Sequence, residues 1–425
     1  MIRIYSEHIT NRLRYIVNHL FAMVLNTDYQ FVESIDDAHI IYGTQRKGNA
    51  FLIIPNGLLS ETDVRDFKIT DIDFWQDQPI FFTQKEGDLP FDIFAASFYL
   101  VSRYEEYLPS EKDVHGRYKS DNSLAYKNGF LTKPMVDIWA NILLEKLRTR
   151  FSDITPIPPC YRFLSTIDVD NVYLYRHAGL FQNIWKLLKS IRNKNLFLNQ
   201  LTVIFHLKED PYFTFPKIEK WHQQLGLKTH YFLHVGPWGK IDRRCFCVKN
   251  NIRRVLKVIG ISSDVGIHIS HRGAFDTVQQ AKEKRILEAI TQQTITQNRF
   301  HYLRFRLPDS YQNLLKLGIK EDYSMGYADR LGFRASTSFP FYFYDLKKDQ
   351  STELLVHSLP IMDVVLRKRL HLNQQEAIDE VKKIVQHIRQ INGECVILWH
   401  NQNLSYIENW EDWEIVYKAI LKIAK

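Results

Sequence analysis

The chain has 425 residues, of which 45% are hydrophobic and 24% charged, a balance that is typical of a globular protein and excludes a disordered or fibrous one. Its 56 Lys and Arg residues outnumber its 48 Asp and Glu residues and give a formal net charge of +8. These basic residues are scattered, which argues against a nucleic-acid-binding protein with one concentrated basic stripe. No apolar run approaches the roughly 20 residues of a membrane-spanning helix. The first residues contain no apolar signal core, so a cytoplasmic location is the default expectation.

The length predicts two or three domains, and residues 1–155 are expected to form a small α/β domain of unassigned role. Its predicted strands are short apolar runs at residues 2–5, 38–42 and 51–54. Its predicted helices cover residues 11–24, 92–107 and 135–148, with a loop at 110–133. Three prolines within residues 156–159 resist both helix and strand, so they mark a domain boundary, and a second domain is expected over residues 160–425.

In the second domain, predicted helices alternate with predicted strands. The helices cover residues 215–225, 251–259, 309–317 and 374–391, and the strands that follow them cover residues 229–235, 264–269, 319–322 and 395–399. A glycine stands after each helix, where a left-handed residue commonly ends it. Helices that alternate with buried strands predict a parallel sheet, and six or more such units favour a (β/α) barrel over an open sheet.

Titratable side chains follow several of these strands, at the ends that meet at one mouth of a parallel barrel. They are Asp168, Asp170, His268, His271, Asp322 with Tyr323, His400, and Arg299 with His301 in a further run. Carboxylates and neutral imidazoles are good ligands for zinc and related divalent ions. A second carboxylate nearby can take a proton from water. Each residue alone has a structural explanation, such as a turn role for Asp168, so the prediction rests on their conjunction.

The stretch from Ser165 to Asn171 resembles the first motif of the polysaccharide deacetylases, the NodB-homology type that forms carbohydrate esterase family four. In that family the first Asp is the catalytic base and a following Asp binds the metal, which implies Asp168 as base and Asp170 as ligand. Residues 266–271 are similar to the second motif and imply His268 and His271 as ligands. The family usually has three residues between these histidines and this chain has two, so His301 or a water molecule is an alternative to His271 as ligand.

The other motifs complete the resemblance, which covers residues 160–403. Residues 299–303 resemble the third motif, whose Arg orients the base, and this implies that role for Arg299. Residues 398–400 resemble the fifth motif and imply His400 as general acid, with Asp363 tuning it as in the fourth motif. The whole chain is also similar to a bacterial subgroup that carries an uncharacterised N-terminal domain. The resemblance implies a distorted (β/α) barrel.

The sequence therefore predicts a metal-dependent hydrolase, with a divalent metal such as zinc, that removes an acetyl group from a sugar or a precursor of a surface polysaccharide. N-acetyl is favoured over O-acetyl. The expected partner is a carbohydrate and not a nucleic acid, and Trp238, Tyr323 and Trp399 are candidate walls for a sugar ring. Two alternatives stay open. One is an impaired barrel that acts as a glycan-binding or scaffold protein, which the irregular histidine spacing favours. The other is a glycosidase that uses Asp168 and Asp170, which is disfavoured because carboxylates two apart along an extended segment are expected to point in opposite directions and to be poorly placed to flank one bond.

Overall fold

The computed structural model describes residues 1–67, 69–176, 180–192, 194–239, 241–242, 248–260, 263–407 and 410–425. Cys245 and Cys247, whose one-residue spacing does not match a zinc knuckle and which we interpret as plain small residues, lie outside the described residues. None of the helices in the described part of the chain is long and apolar enough to cross a bilayer.

A four-stranded parallel sheet forms the first part of the chain. Its strands are β1 (Ile2–Tyr5), β2 (Tyr29–Phe31), β3 (Ile40–Tyr42) and β4 (Phe51–Ile53), in the order β2-β1-β3-β4. Helix α1 (Asn11–Asn18) starts at Thr10, whose side chain accepts a hydrogen bond from the Leu13 amide. The helix predicted over residues 11–24 ends in a π-helical stretch, His19–Val24.

The remaining N-terminal elements connect this sheet to the rest of the molecule. They are an antiparallel hairpin, β5 (Asp73–Trp75) with β6 (Gln78–Ile80), and three helices, α2 (Ile93–Val101), α3 (Leu124–Lys127) and α4 (Met135–Arg150). Every residue of α2 is buried, as expected of a helix that is apolar on all sides and packed within a core. Helix α3 lies inside the segment predicted as a loop.

A nine-stranded sheet dominates the second part of the chain. Its strands are β7 (Arg162–Val169), β8 (Thr229–Leu233), β9 (Asp264–Ile269), β10 (Gln297–Phe300), β11 (Glu321–Met325), β12 (Phe341–Asp345), β13 (Gln350–Ser358), β14 (Ile361–Met362) and β15 (Glu394–His400). Their order is β12-β13-β11-β10-β9-β8-β7-β15-β14. All neighbours are parallel except β12, which runs antiparallel to β13.

Helices alternate with these strands, as the helix–glycine–strand pattern predicts. They are α5 (Leu180–Ser190), α6 (Lys194–Ile204), α7 (Phe215–Leu225), α8 (Val248–Ile259), α9 (Thr277–Thr291), α10 (Asp309–Lys316), α11 (Gln374–Gln390) and α12 (Trp413–Ala424). Gly226 ends α7 in the left-handed conformation, with φ 63°. The sequence analysis identified α7, α8, α10 and α11 and did not identify α5, α6, α9 and α12.

The sheet curls because one stretch of chain joins its two distant regions. Strand β13 pairs with β11, and only Leu359 and Pro360 separate it from β14, which pairs with β15 at the other end. The expected barrel is therefore present as a curled, mostly parallel sheet of nine strands.

The two parts of the chain share one continuous apolar core that extends from Ile2 to Ala424. Buried polar contacts also connect them. Arg334 Nε donates to Glu106 Oε1 at 2.8 Å, and the Ser338 amide donates to Asp137 Oδ2 at 2.7 Å. The segment before α3 reaches the mouth of the large sheet, where Arg117 Nη1 donates to the Tyr302 carbonyl at 2.6 Å.

Candidate active site

The carboxyl ends of β7, β9, β10 and β15 bring the predicted site residues together. In the hydrogen-bonded register, His400 stands opposite Asp168, and Arg299 stands opposite His268. Asp170 follows β7 directly, and His301 follows β10 directly. Because parallel strands present their carboxyl ends at one edge, these side chains face one another across neighbouring strands.

Three of these residues direct ligand atoms at one point. Asp170 Oδ1 lies 3.3 Å from His268 Nε2 and 3.6 Å from His301 Nε2, and one ligand atom from each residue falls within 4.8 Å of the others. Among the described residues, Asp170 Oδ1 and His268 Nε2 are buried and have no hydrogen-bond partner. Buried polar atoms without partners are rare, and these two are placed so that a cation between them would satisfy both.

The two imidazoles use Nδ1 for their hydrogen bonds, so that Nε2 of each ring is directed at Asp170. His268 Nδ1 lies 2.9 Å from the Arg299 carbonyl oxygen, which only accepts, so this nitrogen donates and Nε2 keeps its lone pair in the neutral ring. His301 Nδ1 lies 2.9 Å from Asp242 Oδ1, which leaves its Nε2 directed at Asp170. Donation to a carbonyl or a carboxylate is the usual way in which metal-binding histidines are oriented.

The charges around His301 also fit a cation. Burial alone raises the pKa of the Asp170 carboxyl, but His301 and His268 hold it well below its ordinary value, so Asp170 is an anion. Burial opposes a charged His301, yet Asp170 and Asp242 raise its pKa to about 9. These two carboxylates therefore require positive charge between them, and a divalent metal would supply it in place of the proton.

One carboxylate and two imidazoles form the donor set of catalytic zinc sites, which leave further positions open for water or substrate. The residues present thus fit a divalent transition metal. His234 and Asp242 form a second such group with the same His301. Neither ring nitrogen of the buried His234 has a hydrogen-bond partner among the described residues, and its Nε2 lies 3.6 Å from Asp242 Oδ1.

Asp168 lies in a fixed orientation beside the candidate metal ligands. Its Oδ1 accepts from Arg299 Nη1 at 2.9 Å, and its Oδ2 lies 3.6 Å from His268 Nε2. Arg299 is fully buried and is itself held at three points: Nη1 donates to Thr166 Oγ1, Nε donates to the Tyr323 carbonyl, and the guanidinium stacks 4.4 Å above the Phe232 ring. One carboxylate oxygen of Asp168 is therefore bound by Arg299, and the other faces His268.

His400 lies on the opposite side and is held by Asp363. Its Nδ1 lies 2.9 Å from Asp363 Oδ1, and its backbone amide donates to Asp363 Oδ2 at 2.8 Å. Its Nε2 lies 3.9 Å from Asp170 Oδ2, which also accepts from Gln402 Nε2 at 3.0 Å. Burial lowers the pKa of His400, but Asp363 outweighs this effect and raises it to about 10.

Asp168 and Asp170 share one face of the extended chain. Both carboxylates lie within 3.6 Å of His268 Nε2. The interpretation that they point in opposite directions is wrong, because residues two apart in a strand lie on the same side. A glycosidase that uses this pair is instead disfavoured because Asp170, which its two imidazoles keep ionised, does not hold the proton that a general acid donates, and Oδ1 of Asp168 is bound by Arg299.

The structure places His271 outside the three-residue group. Its ring Nε2 lies 3.3 Å from His115 Nδ1, and its backbone amide donates to Asp242 Oδ1 at 2.8 Å. Asp242 is the residue that sequence reasoning missed, together with His234. His234 directly follows β8 and lies within the strand predicted over residues 229–235, whereas Asp242 stands in the loop beyond, where no strand end marks it as a site residue.

The other predicted residues lie apart from the group. Asp322 is inside β11 and is fully occupied by structural contacts, since it accepts from Tyr311 Oη at 2.8 Å and from Asn298 Nδ2 at 2.7 Å. Tyr323 points to the opposite face, where its ring stacks on His357 with 4.1 Å between centroids. Trp399 is buried against α12, and Trp238 is exposed.

A cavity of about 290 Å³ opens over the site. Asp168, Asp170, His301 and His400 lie in its walls. Apolar side chains form other parts of these walls, among them Phe300, Leu303, Met362, Val364 and Leu398. The ionisable residues therefore face a space of the size that holds a small ligand.

Comparison with known families gives a match over the N-terminal part of the chain. Residues 2–152 match DUF7033, which is described as a family of unknown function. Among curated proteins, none matches the chain.

Solved structures with a similar arrangement include deacetylase-type proteins. A candidate polysaccharide deacetylase from Mycobacterium smegmatis is 14% identical, with 64% of this chain and 89% of that chain covered and a TM-score of 0.37. A CE4 family pseudoenzyme from Bacillus anthracis is 11% identical, with 64% and 66% covered and a TM-score of 0.30. A candidate glycoside hydrolase/deacetylase from Parabacteroides distasonis is 9% identical, with 63% and 66% covered and a TM-score of 0.34. All three TM-scores are below 0.5, so these likenesses carry no conclusion about the family or the activity of this chain.

Proposed function

We propose that the chain is a metal-dependent hydrolase that removes an N-acetyl group from a sugar or a polysaccharide precursor. One observation carries this proposal. Ligand atoms of Asp170, His268 and His301 converge beside one cavity, between a carboxylate held by Arg299 and an imidazole held by Asp363. Two of these atoms, Asp170 Oδ1 and His268 Nε2, are buried without a hydrogen-bond partner among the described residues. A general base, a metal donor set and a general acid in one place are the groups that amide hydrolysis requires.

We assign the metal to Asp170, His268 and His301, with zinc as the proposed ion. His301 takes the place that sequence similarity gave to His271, because the inner nitrogen of His301 faces Asp170 whereas the ring of His271 faces His115. A bound divalent metal lowers the pKa of a water molecule and polarises a carbonyl oxygen.

In this proposal Asp168 takes the proton of the attacking water through Oδ2, the oxygen that Arg299 does not bind. Arg299 holds the carboxylate in a fixed orientation, because its guanidinium is itself fixed by Thr166 and Tyr323. The water oxygen forms a bond to the acetyl carbon, and the carbon–nitrogen bond then breaks.

His400 gives a proton from Nε2 to the departing nitrogen, so that acetate and a free amine result. Asp363 keeps the ring in place through Nδ1 and favours its protonated form before the transfer. The two proton-transfer groups thus stand on neighbouring strands, β7 and β15, on either side of the metal donor set.

Acetate release from N-acetylglucosamine oligomers with added zinc or cobalt tests the proposal. Asp168→Asn should abolish release while zinc content stays at the wild-type level, because the amide that replaces the carboxylate cannot accept the proton. Asp379→Asn, at a solvent-facing site of α11, is the matched control and should behave as wild type. Equal release by wild type and Asp168→Asn would refute the assigned base. Zinc bound without release from any acetylated sugar would support the glycan-binding or scaffold alternative.

A further inference from the structure

Basic side chains form one wall of the cavity over the candidate site. Arg117, Lys368 and Arg369 line it together with Asp168 and Asp170. Lys368 and Arg369 end a π-helical stretch, Val365–Arg369, that begins two residues after Asp363. This stretch therefore carries positive charge directly beside the residue that holds the proposed general acid.

A second cavity of about 430 Å³ adjoins the first. The two share Arg117, Leu303, Ala328 and Arg369 as lining residues, so the wall between them is common. The second cavity adds Lys112 and other residues of the segment before α3. The N-terminal part of the chain and the large sheet thus enclose a basic space that leads to the site.

Several of these cations already have carboxylate partners. Arg117 pairs with Asp113, and Nζ of Lys119 lies 3.0 Å from Glu111 Oε2. Arg334, which also lines the second cavity, pairs with the buried Glu106.

Three cations of the two cavities differ from these. Within the residues that the structure describes, no carboxylate oxygen lies within 4 Å of Lys112, Lys368 or Arg369, and all three are exposed. The Nζ atoms of Lys112 and Lys368 lie over the rings of Tyr118 and Trp410, at 5.0 and 5.5 Å.

The surplus charge selects the kind of ligand. Among the described carboxylates that line the two cavities, Asp329 is the one that has no ion pair of its own, so its charge offsets part of the charge of the three cations. It accepts a hydrogen bond from Ser120 Oγ at 2.6 Å. A neutral sugar would not balance the excess positive charge, and a ligand with one carboxylate would balance only part of it. A phosphate group carries about two negative charges and several acceptor oxygens, so it matches the surplus best.

We propose that Lys112, Lys368 and Arg369 bind a phosphate or diphosphate group carried by the sugar whose acetyl group enters the site. This inference rests on the proposed function for the identity of the sugar, but the anion site itself does not require catalysis. The phosphate is the attachment of the sugar to a carrier, either a nucleotide or a prenyl lipid.

Calorimetric titration of the zinc-loaded full chain tests the inference. The probes are N-acetylglucosamine, N-acetylglucosamine 1-phosphate, UDP-N-acetylglucosamine and a short prenyl diphosphate N-acetylglucosamine. We expect the phosphorylated sugars to bind at least about tenfold more tightly than the neutral sugar, with an advantage that falls as salt rises. The tighter of the last two probes identifies the carrier.

The variant K368Q/R369Q should lose this advantage by about tenfold or more and keep its zinc content. The control K282Q/R285Q removes one Lys and one Arg from the exposed face of α9, away from both cavities, and should bind like the wild type. This comparison also distinguishes phosphate binding by Lys368 and Arg369 from direct binding of phosphate to zinc, because direct binding would be the same in both variants. Equal affinity for neutral and phosphorylated sugars, or equal loss in both variants, would overturn the inference. Because binding and acetate release are measured separately, tight phosphate-dependent binding without release would reject the proposed hydrolysis alone.

Discussion

Asp242→Asn should weaken zinc binding although residue 242 is not one of the three proposed ligands. Asp242 Oδ1 accepts from His301 Nδ1 and from the His271 amide, and Oδ2 accepts from the Arg272 amide at 3.0 Å. All of these partners donate, so an Asn in this place directs an N–H group at a donor. It also removes the negative charge that keeps the His301 ring oriented and electron-rich.

Loss of such a supporting carboxylate typically lowers metal affinity about 10- to 100-fold, which is about 1.4 to 2.8 kcal/mol. We expect Asp242→Asn to fall in this range and His301→Ala, which removes a ligand atom, to lose more. His271→Ala is the control, because it deletes only the ring that meets His115 and keeps the backbone amide that binds Asp242.

Competition with a chromophoric chelator measures the zinc affinity of the four proteins, and circular dichroism establishes that each is folded. Wild-type affinity in Asp242→Asn would show that the carboxylate does not support a ligand. A larger loss in His271→Ala than in His301→Ala would reverse the assignment of the third ligand and return it to the one that motif similarity implies.

Three further predictions concern charged groups. Asp363→Asn should move the alkaline limb of the kcat–pH profile to lower pH, because the carboxylate that raises the pKa of His400 is lost; an unchanged limb in stopped assays would exclude His400 as the acid. His357 is buried between two glutamates, which outweigh the effect of burial and raise its pKa to about 9 in the folded protein. Its contribution of about 3 kcal/mol to the free energy of unfolding is therefore present below pH 6.5 and is lost as pH rises through 9. Urea midpoints of wild type and His357→Gln should therefore differ more at pH 6 than at pH 9.5, and a constant difference would contradict this pKa. Arg299→Gln should lower the free energy of unfolding by about 3 to 5 kcal/mol, because Asp168 then stays buried without its partner, and thermal unfolding at neutral pH measures it; an unchanged Tm would refute the ion pair.

The alternation of helices and strands could be predicted wherever local signals were strong. Helix α11 carries apolar residues at helical spacing and ends before Gly393, so its predicted bounds differ by one residue from those observed. Helix α9 has few apolar residues at that spacing and was missed, because its stability comes from packing on the sheet, which local sequence does not display. Strand β11 spans Glu321–Met325 and not the predicted residues 319–322, and this shift places Tyr323 within the strand instead of after it.

The same physical distinction separates the site residues that could be predicted from those that could not. Asp168, His268 and His400 stand at strand ends, and a parallel sheet brings such ends together whatever the loops do. Asp242 reaches the site from a loop, so its position depends on tertiary contacts. Trp399 is a candidate wall in the sequence, yet neighbouring residues of a strand face opposite sides, so Trp399 does not share the face of His400 and its ring packs on Tyr417.

The position of His301 shows how a donor set can persist when motif spacing changes. A histidine four residues after His268 would be residue 272, which is Arg, and the ring of His271 faces away. Strand β10 lies directly beside β9, with Arg299 opposite His268, so a residue two positions beyond Arg299 reaches the same mouth. The chain then turns sharply, with Tyr302 at φ 64°, and Asp242 fixes the His301 ring from behind. Adjacent parallel strands present their carboxyl ends at the same mouth, so a ligand nitrogen can come from the neighbouring strand. Metal binding requires only that the ligand atoms converge on the same point.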